Sequence, residues 1–115
     1  KPKPYLFEFL KTANEASFSE NARWNGNTTL TWAKYCLEMI SNWNNYKIDN
    51  VISSSCITKS ELAEIIADVF ELNLTINTTS ERGFNRCLKN EKSYLPIKKQ
   101  LIDLKEFIYI YNQQK

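Results

Sequence analysis

The chain has 115 residues and a mass of 13.5 kDa, the size of one domain or of two very small ones. Its composition, 43% hydrophobic and 24% charged, is that of a folded globular protein, and its formal net charge is only +2. Histidine is absent and only two glycines occur, which excludes a histidine general base, a Cys₂His₂ zinc site and a glycine-rich nucleotide loop. We therefore expect no enzyme, no cofactor and no bound metal, and no apolar run reaches the roughly 18 residues of a membrane span.

The cysteines indicate a compartment. Cys36, Cys56 and Cys87 are odd in number and widely spaced, and no two of them form a CxxC pair. We therefore expect reduced thiols in a cytoplasmic protein. The chain begins with Lys1 rather than methionine, so a missing N-terminal domain is left open.

The first elements in chain order are short. The apolar stretch 5–10 predicts a short helix ending near Asn14, although the alternation of Phe7 and Phe9 also allows a strand. The polar stretch at about 14–27 is predicted to be a connector, because Asn25-Gly26 is a turn signal.

A longer helix follows the connector. Apolar residues recur there at spacings of three and four, which predicts about 13 helical residues after an N-cap at Thr29. The apolar stripe covers much of the circumference, so we expect the helix to be central, with Trp32, Leu37 and Ile40 buried.

Two capping boxes mark the second half of the chain. Thr58 and Glu61 predict the start of a helix at about 58–71 with one apolar face. Thr78 and Glu81 offer a second box, which predicts a shorter helix ending at about Lys89. A proline then suits the first turn of a final helix at about 96–112.

These elements predict an all-α fold. We expect residues 1–115 to form a single helical domain, a small bundle of four or five helices. The segment at about 58–90 would hold a helix-turn-helix-like pair, with a winged form left open.

The distribution of charge suggests that the second helix of that pair binds a polyanion. Residues 57–81 carry one basic and five acidic groups, whereas residues 82–115 carry eight basic and three acidic groups. On a helix, four polar side chains of this segment would share one face, and two hydroxyl residues would lie at its N-terminus to meet phosphate. This is the chemistry of a recognition helix. The predicted DNA-binding residues are Thr79, Ser80, Arg82, Asn85, Arg86 and Lys89.

Simpler interpretations remain open for these patterns. Any surface helix has a polar face, and the predicted link of about six residues, 72–77, is longer than the usual three or four. Glu61, Glu64 and Asp68 also share a helical face, which we interpret as solvated rather than as a metal site.

Four short motifs stand out: Arg23-Trp24-Asn25-Gly26-Asn27, the capped segment 57–70 followed by Asn73-Leu74, the basic Arg82-Gly83-Phe84-Asn85-Arg86, and the leucine-rich segment 95–107. Together they resemble the C-terminal region of the RteC family, regulators of conjugative transposon excision. The resemblance covers about 85 residues. It implies a helical, winged-helix-like domain that binds DNA.

The sequence thus favours the DNA-binding domain of a transcriptional regulator of mobile-element excision or transfer. Its expected partner is double-stranded DNA, with no membrane involved and a homodimer left open. The rival hypothesis is a helical module for protein interaction or dimerisation without nucleic-acid binding. Its surface would be aromatic, because aromatic side chains anchor interfaces, and its residues would be Tyr94, Phe107, Tyr109 and Tyr111.

Overall fold

The computed structural model describes residues 6–43, 55–87 and 95–114, and the fold of this part of the chain is mixed α/β. Four helices and two two-stranded sheets are present among these residues, so the prediction of an all-α fold is wrong. None of the helices described is long and apolar enough to cross a lipid bilayer. The elements in order are α1 (Leu6–Thr12), β1 (Glu15–Ser19), β2 (Arg23–Trp24), α2 (Thr29–Ser41), β3 (Ile57–Thr58), α3 (Lys59–Val69), β4 (Thr75–Thr79) and α4 (Ile97–Gln113).

The chain forms two compact units. Unit 1 comprises Lys1–Trp24 and Cys56–Cys87, and therefore contains α1, α3 and all four strands. Unit 2 comprises Asn25–Ser55 and Leu88–Lys115, and contains α2 and α4. Each unit has buried apolar residues of its own: Leu10, Ala16, Leu62, Ala63, Ile66 and Val69 in unit 1, and Tyr35, Ile97 and Leu101 in unit 2.

A parallel sheet organises unit 1. Strands β1 and β4 pair in parallel, with Glu15 opposite Thr75 and Ser19 opposite Thr79. Parallel neighbours require a crossover connection, and α3 lies within that connection and packs against both strands. The buried Ser60 of α3 donates a hydrogen bond from its hydroxyl to the Phe18 carbonyl, 3.3 Å away, which ties the helix to β1.

Local signals set both ends of α3. The predicted capping box is confirmed, since the Thr58 hydroxyl accepts from the Glu61 N–H at 3.1 Å and the Glu61 carboxylate accepts from the Thr58 N–H at 3.3 Å. At the other end Glu71 has a positive φ of 55°, and the Leu72 N–H donates to the Ala67 carbonyl at 2.9 Å. This is the Schellman arrangement that ends a helix and turns the chain away.

Removal of the cap hydroxyl tests the contribution of the box to stability. Thr58→Ala should lower the free energy of unfolding by roughly 0.5–2 kcal/mol, because the Glu61 N–H loses its acceptor. Urea titration followed by circular dichroism measures the loss. Lys59→Ala is the matched control on the adjacent exposed residue, and equal losses in the two variants would contradict the role of the cap.

The prediction of a second helix in the helix-turn-helix pair is wrong. Residues 75–79 form β4 instead, and no helix occurs in the described residues 80–87 that follow it. Four of the five β4 residues are β-branched, which favours a strand, and β1 supplies a partner for the whole segment. The second capping box, Thr78 to Glu81, therefore caps no helix. The predicted connector at about 14–27 likewise contains both β1 and β2.

Unit 2 pairs α2 with α4. The segment predicted as a helix at about 96–112 is helical from Ile97 to Gln113. Helix α2 has the predicted 13 residues, but its N-cap is Thr28, whose hydroxyl accepts from the Thr31 N–H at 3.1 Å, rather than Thr29.

The burial predicted for α2 is wrong. The helix buries Thr31 and Tyr35, whereas the expected core residues Trp32, Leu37 and Ile40 are exposed. Residues four apart lie on the same side of a helix, so the side that α2 buries carries a threonine and a tyrosine. The most apolar side of the helix therefore lies outside the core of its own unit.

Candidate nucleic-acid interface

Strand β2 is the centre of a small backbone arrangement in unit 1. Arg23 pairs with Thr58 of β3 in antiparallel fashion on one side. On its other side the Arg23 N–H donates to the Phe84 carbonyl at 3.1 Å, and the Arg23 carbonyl accepts from the Arg86 N–H at 3.0 Å. The segment around Asn85 is therefore extended alongside β2. We call residues 80–87 the basic loop.

The basic loop is fixed at both ends. A disulfide joins Cys87, at its end, to Cys56, just before β3, so the expectation of reduced thiols is wrong for this pair. Near its start the Glu81 carbonyl accepts from the Asn21 side-chain amide at 2.9 Å and also from the Ser19 hydroxyl. These contacts hold the loop against the chain around β2 without any helical structure.

All three arginines of the sequence lie on the basic loop or on the adjacent strand β2. Arg82 and Arg86 belong to the basic loop, and Arg23 of β2 is bonded to the same loop through its backbone. All three side chains are exposed, and none of them forms an ion pair with another residue in the part of the chain that the structure describes. Lys59 adds an exposed cation next to Thr58, and its N–H donates to the Ala22 carbonyl at 2.9 Å.

An exposed aromatic ring lies beside one of the arginines. Phe84 is 67% exposed, and the guanidinium carbon of Arg86 lies 5.7 Å from the centre of its ring. Successive side chains of an extended segment point to opposite sides, so Asn85 faces away from both. The Asn85 side-chain carbonyl accepts from the Cys87 N–H at 3.0 Å. The surface thus offers planar cations and one exposed ring, a combination that suits phosphates and stacked bases.

The structure keeps some predicted site residues together and separates others. Arg82 and Arg86 lie on the basic loop as exposed side chains, although the helical face predicted for them does not exist. Ser80 is exposed at the start of the loop, while Thr79 is half-buried in β4, where its carbonyl accepts from the Glu20 N–H. Asn85 is exposed but is engaged with the loop backbone, and Lys89 lies outside the described residues.

Sequence reasoning missed Arg23 and the disulfide. Arg23 lies about sixty positions before the basic loop, and the backbone bonds that join them leave no periodic trace in the sequence. The spacing of Cys56 and Cys87 is equally uninformative, because connectivity cannot be read from spacing alone. The available signal was composition: only three arginines occur, and two of them fall within five residues of each other.

The close approach of the basic loop to the residues before β2 can be tested at Gly83. A Cβ atom there would lie 2.6 Å from the Ala22 nitrogen and 2.9 Å from the Asn21 carbonyl carbon, both backbone atoms. Gly83→Ala should therefore displace the loop and destabilise the protein by about 1–3 kcal/mol. Chemical denaturation measures this loss. Arg82→Ala, at an exposed neighbour, should change stability little, and a Gly83→Ala protein as stable as that control would contradict the close approach.

Comparisons of the chain with known protein families, with curated proteins and with solved structures found no match.

Proposed function

We propose that unit 1 binds double-stranded DNA through Arg23, Arg82 and Arg86, which we call the arginine surface. The observation that carries this proposal is that every arginine in the sequence is exposed, either on the basic loop or on β2, whose backbone is bonded to that loop. The resemblance to the RteC family implies the same partner, and extends the proposal to a regulator of mobile-element excision or transfer.

Arginine chemistry supports DNA as the ligand. A guanidinium group presents a rigid fork of donors that matches phosphate oxygens, and the same fork reads guanine in the major groove. Side chains already paired with carboxylates would have to break those pairs first. The three arginines form no such pairs within the described residues, so their donors are available to a ligand.

The basic loop is already ordered in the free protein. Its backbone is bonded to β2, and its start is bonded to the Asn21 side chain, so little order has to be gained on binding. Glu81 on the same loop is exposed and reduces the net positive charge. We therefore expect modest affinity that falls as the salt concentration rises, with a slope of at most about three units.

Titration of a duplex at several salt concentrations tests the proposal. Arg23→Ala, Arg82→Ala and Arg86→Ala should each weaken binding, and each lost phosphate contact should reduce the slope of log K against log salt by about one unit. An arginine that reads guanine should also lose sequence preference when replaced, at a cost of about 1–3 kcal/mol.

Lys34→Ala is the matched control, because it removes one positive charge from an exposed position on α2 in unit 2. It should bind like the parent. A parent protein that binds no duplex at low salt, or three arginine variants that bind like the control, would contradict the proposal.

A cytoplasmic location is part of the same proposal, since the DNA of a mobile element is found there. Disulfides are typical of oxidising compartments, and those of cytoplasmic proteins are commonly transient. Cytoplasmic protein should therefore contain Cys56 and Cys87 largely as thiols. Trapping with a maleimide at the moment of lysis, followed by mass spectrometry, measures this, and full oxidation of the pair would argue for another compartment.

A second candidate function, protein interaction, is favoured by the C-terminal half of α4. Phe107, Tyr109 and Tyr111 are all exposed there, while Tyr94 lies outside the described residues. Aromatic side chains are common anchors of interfaces. Failure of the DNA titration would leave this function as the better-supported one.

A further inference from the structure

Phe84 of the basic loop is the most exposed large apolar residue in the described part of unit 1. It is 67% exposed, whereas Phe9 on α1, the other exposed residue of this kind there, is 41% exposed. A single exposed ring is ordinary on a protein surface. The backbone that carries Phe84 and the cations beside it distinguish it from Phe9.

The backbone is fixed on both sides of Phe84. The Phe84 carbonyl accepts from the Arg23 N–H at 3.1 Å, and the Arg86 N–H donates to the carbonyl of the same β2 residue at 3.0 Å. On the preceding side, Gly83 packs so closely that a Cβ atom there would lie 2.6 Å from the Ala22 nitrogen. The ring is therefore exposed although the chain beneath it is held, so a ligand can contact it without first ordering the backbone.

Arginines flank the Phe84 ring along the chain. Phe84 and Arg86 lie on the same side of the extended segment, and the Arg86 guanidinium carbon is 5.7 Å from the ring centre. Arg82, two residues before Phe84, is exposed as well. A flat ring between two cations matches the chemistry of a nucleotide, whose base is flat and whose phosphate is anionic.

We infer that Phe84 stacks on an unpaired base, so that the arginine surface prefers a duplex that contains one. The inference rests on the proposed DNA binding and names the class of DNA that this surface takes. In a fully paired duplex every base is already stacked, and taking one out of the stack costs free energy. An unpaired base has a free face, which Phe84 covers without that cost while Arg82 and Arg86 bind the neighbouring phosphates.

Binding of three duplexes with the same flanking sequence tests the inference. One duplex is fully paired, one carries a single extra adenine, and one carries an abasic residue in place of that adenine. The parent should bind the duplex with the extra adenine about tenfold more tightly than the other two, because stacking on an aromatic side chain contributes a factor of this order. The abasic duplex is interrupted at the same place but offers no base, so it separates stacking from flexibility of the DNA.

Variants of Phe84 separate stacking from general apolar contact. Phe84→Leu keeps an apolar side chain without a flat ring, so it should lose the preference for the extra adenine and bind the paired duplex like the parent. Phe84→Tyr retains the ring and should retain the preference. Phe9→Leu is the matched control, because it makes the same change at an exposed position of α1, and it should behave like the parent. Circular dichroism establishes that the variants are folded.

A 2-aminopurine in place of the extra adenine reports the contact independently. Its fluorescence should change when the parent is added, and the change should be lost with Phe84→Leu. The inference is overturned if the parent binds all three duplexes equally, if it binds the abasic duplex as tightly as the one with the extra adenine, or if Phe84→Leu keeps the preference or the fluorescence change. A parent that binds none of the three duplexes contradicts the proposed DNA binding itself.

Discussion

Gln100→Leu is expected to lower the free energy of unfolding of unit 2 by about 3–5 kcal/mol, because it removes a buried set of hydrogen bonds. Gln100 is fully buried, with 0% of its surface exposed. Its side-chain oxygen accepts from the Thr28 N–H at 2.9 Å, and its side-chain nitrogen donates to the Asn27 side chain at 2.9 Å and to the Leu95 carbonyl at 2.8 Å. One side chain of α4 thus holds the N-cap of α2 and Leu95, which lies two residues before its own helix.

The measurement is chemical denaturation of the parent and of Gln100→Leu. Gln113→Leu makes the same change at an exposed position of α4 and should shift stability by less than about 0.5 kcal/mol. Gln100→Glu keeps an acceptor for Thr28 but loses the amide donor, and should therefore also be strongly destabilised. Equal stability of Gln100→Leu and Gln113→Leu would contradict the role assigned to these bonds.

The Cys56→Ser/Cys87→Ser double variant should lose about 3–4 kcal/mol of stability. The disulfide joins residues 31 positions apart, and closing a loop of that length removes roughly this much conformational freedom from the unfolded chain. The enclosed segment contains α3 and β4, so the effect should extend to the core of unit 1.

Denaturant midpoints of the oxidised parent and of the double variant measure this loss. The parent in excess dithiothreitol should behave like the double variant, because the reagent reduces the bond to two thiols. Cys36→Ser is the control for loss of a thiol elsewhere. A midpoint that does not change with reductant, or three titratable thiols in the unreduced protein, would contradict the disulfide.

Local signals in the sequence predicted α2, α3 and α4 to within a few residues. The capping box at Thr58 and Glu61 and the apolar spacing behind it define α3 within a few residues, because both features act inside the helix itself. The length of α2 follows from the same kind of spacing. Their tertiary partners were not predictable in this way, since spacing says which side of a helix is apolar and not what covers it.

The candidate site shows where local reasoning fails. Thr78 and Glu81 have the spacing of a helix start, yet β1 offers hydrogen bonds to all of β4 and the strand forms instead. The alternation of Ala16 and Phe18 in β1 was the signal for that partner, but it spans only five residues. The recognition helix was therefore wrong in structure, although two of its arginines still lie together at an exposed surface.

Long-range pairing explains the rest of the site. Arg23 reaches the basic loop through backbone bonds, and backbone bonds carry no information about side-chain identity. The exposure of Trp32, Leu37 and Ile40 also could not be read from the sequence, because an apolar stripe that stays exposed has the same composition as one that faces a core.

The proposed contact of the arginine surface with DNA can be followed directly through the three arginine side chains. A ¹⁵N-labelled sample should give one Nε–Hε signal for each of Arg23, Arg82 and Arg86, because the sequence has no other arginine. Addition of a short duplex at low salt should shift all three signals, and the shifts should diminish as salt is raised. Three signals that stay in place while the amides of α4 move would contradict the claim, and so would a spectrum that the duplex leaves unchanged.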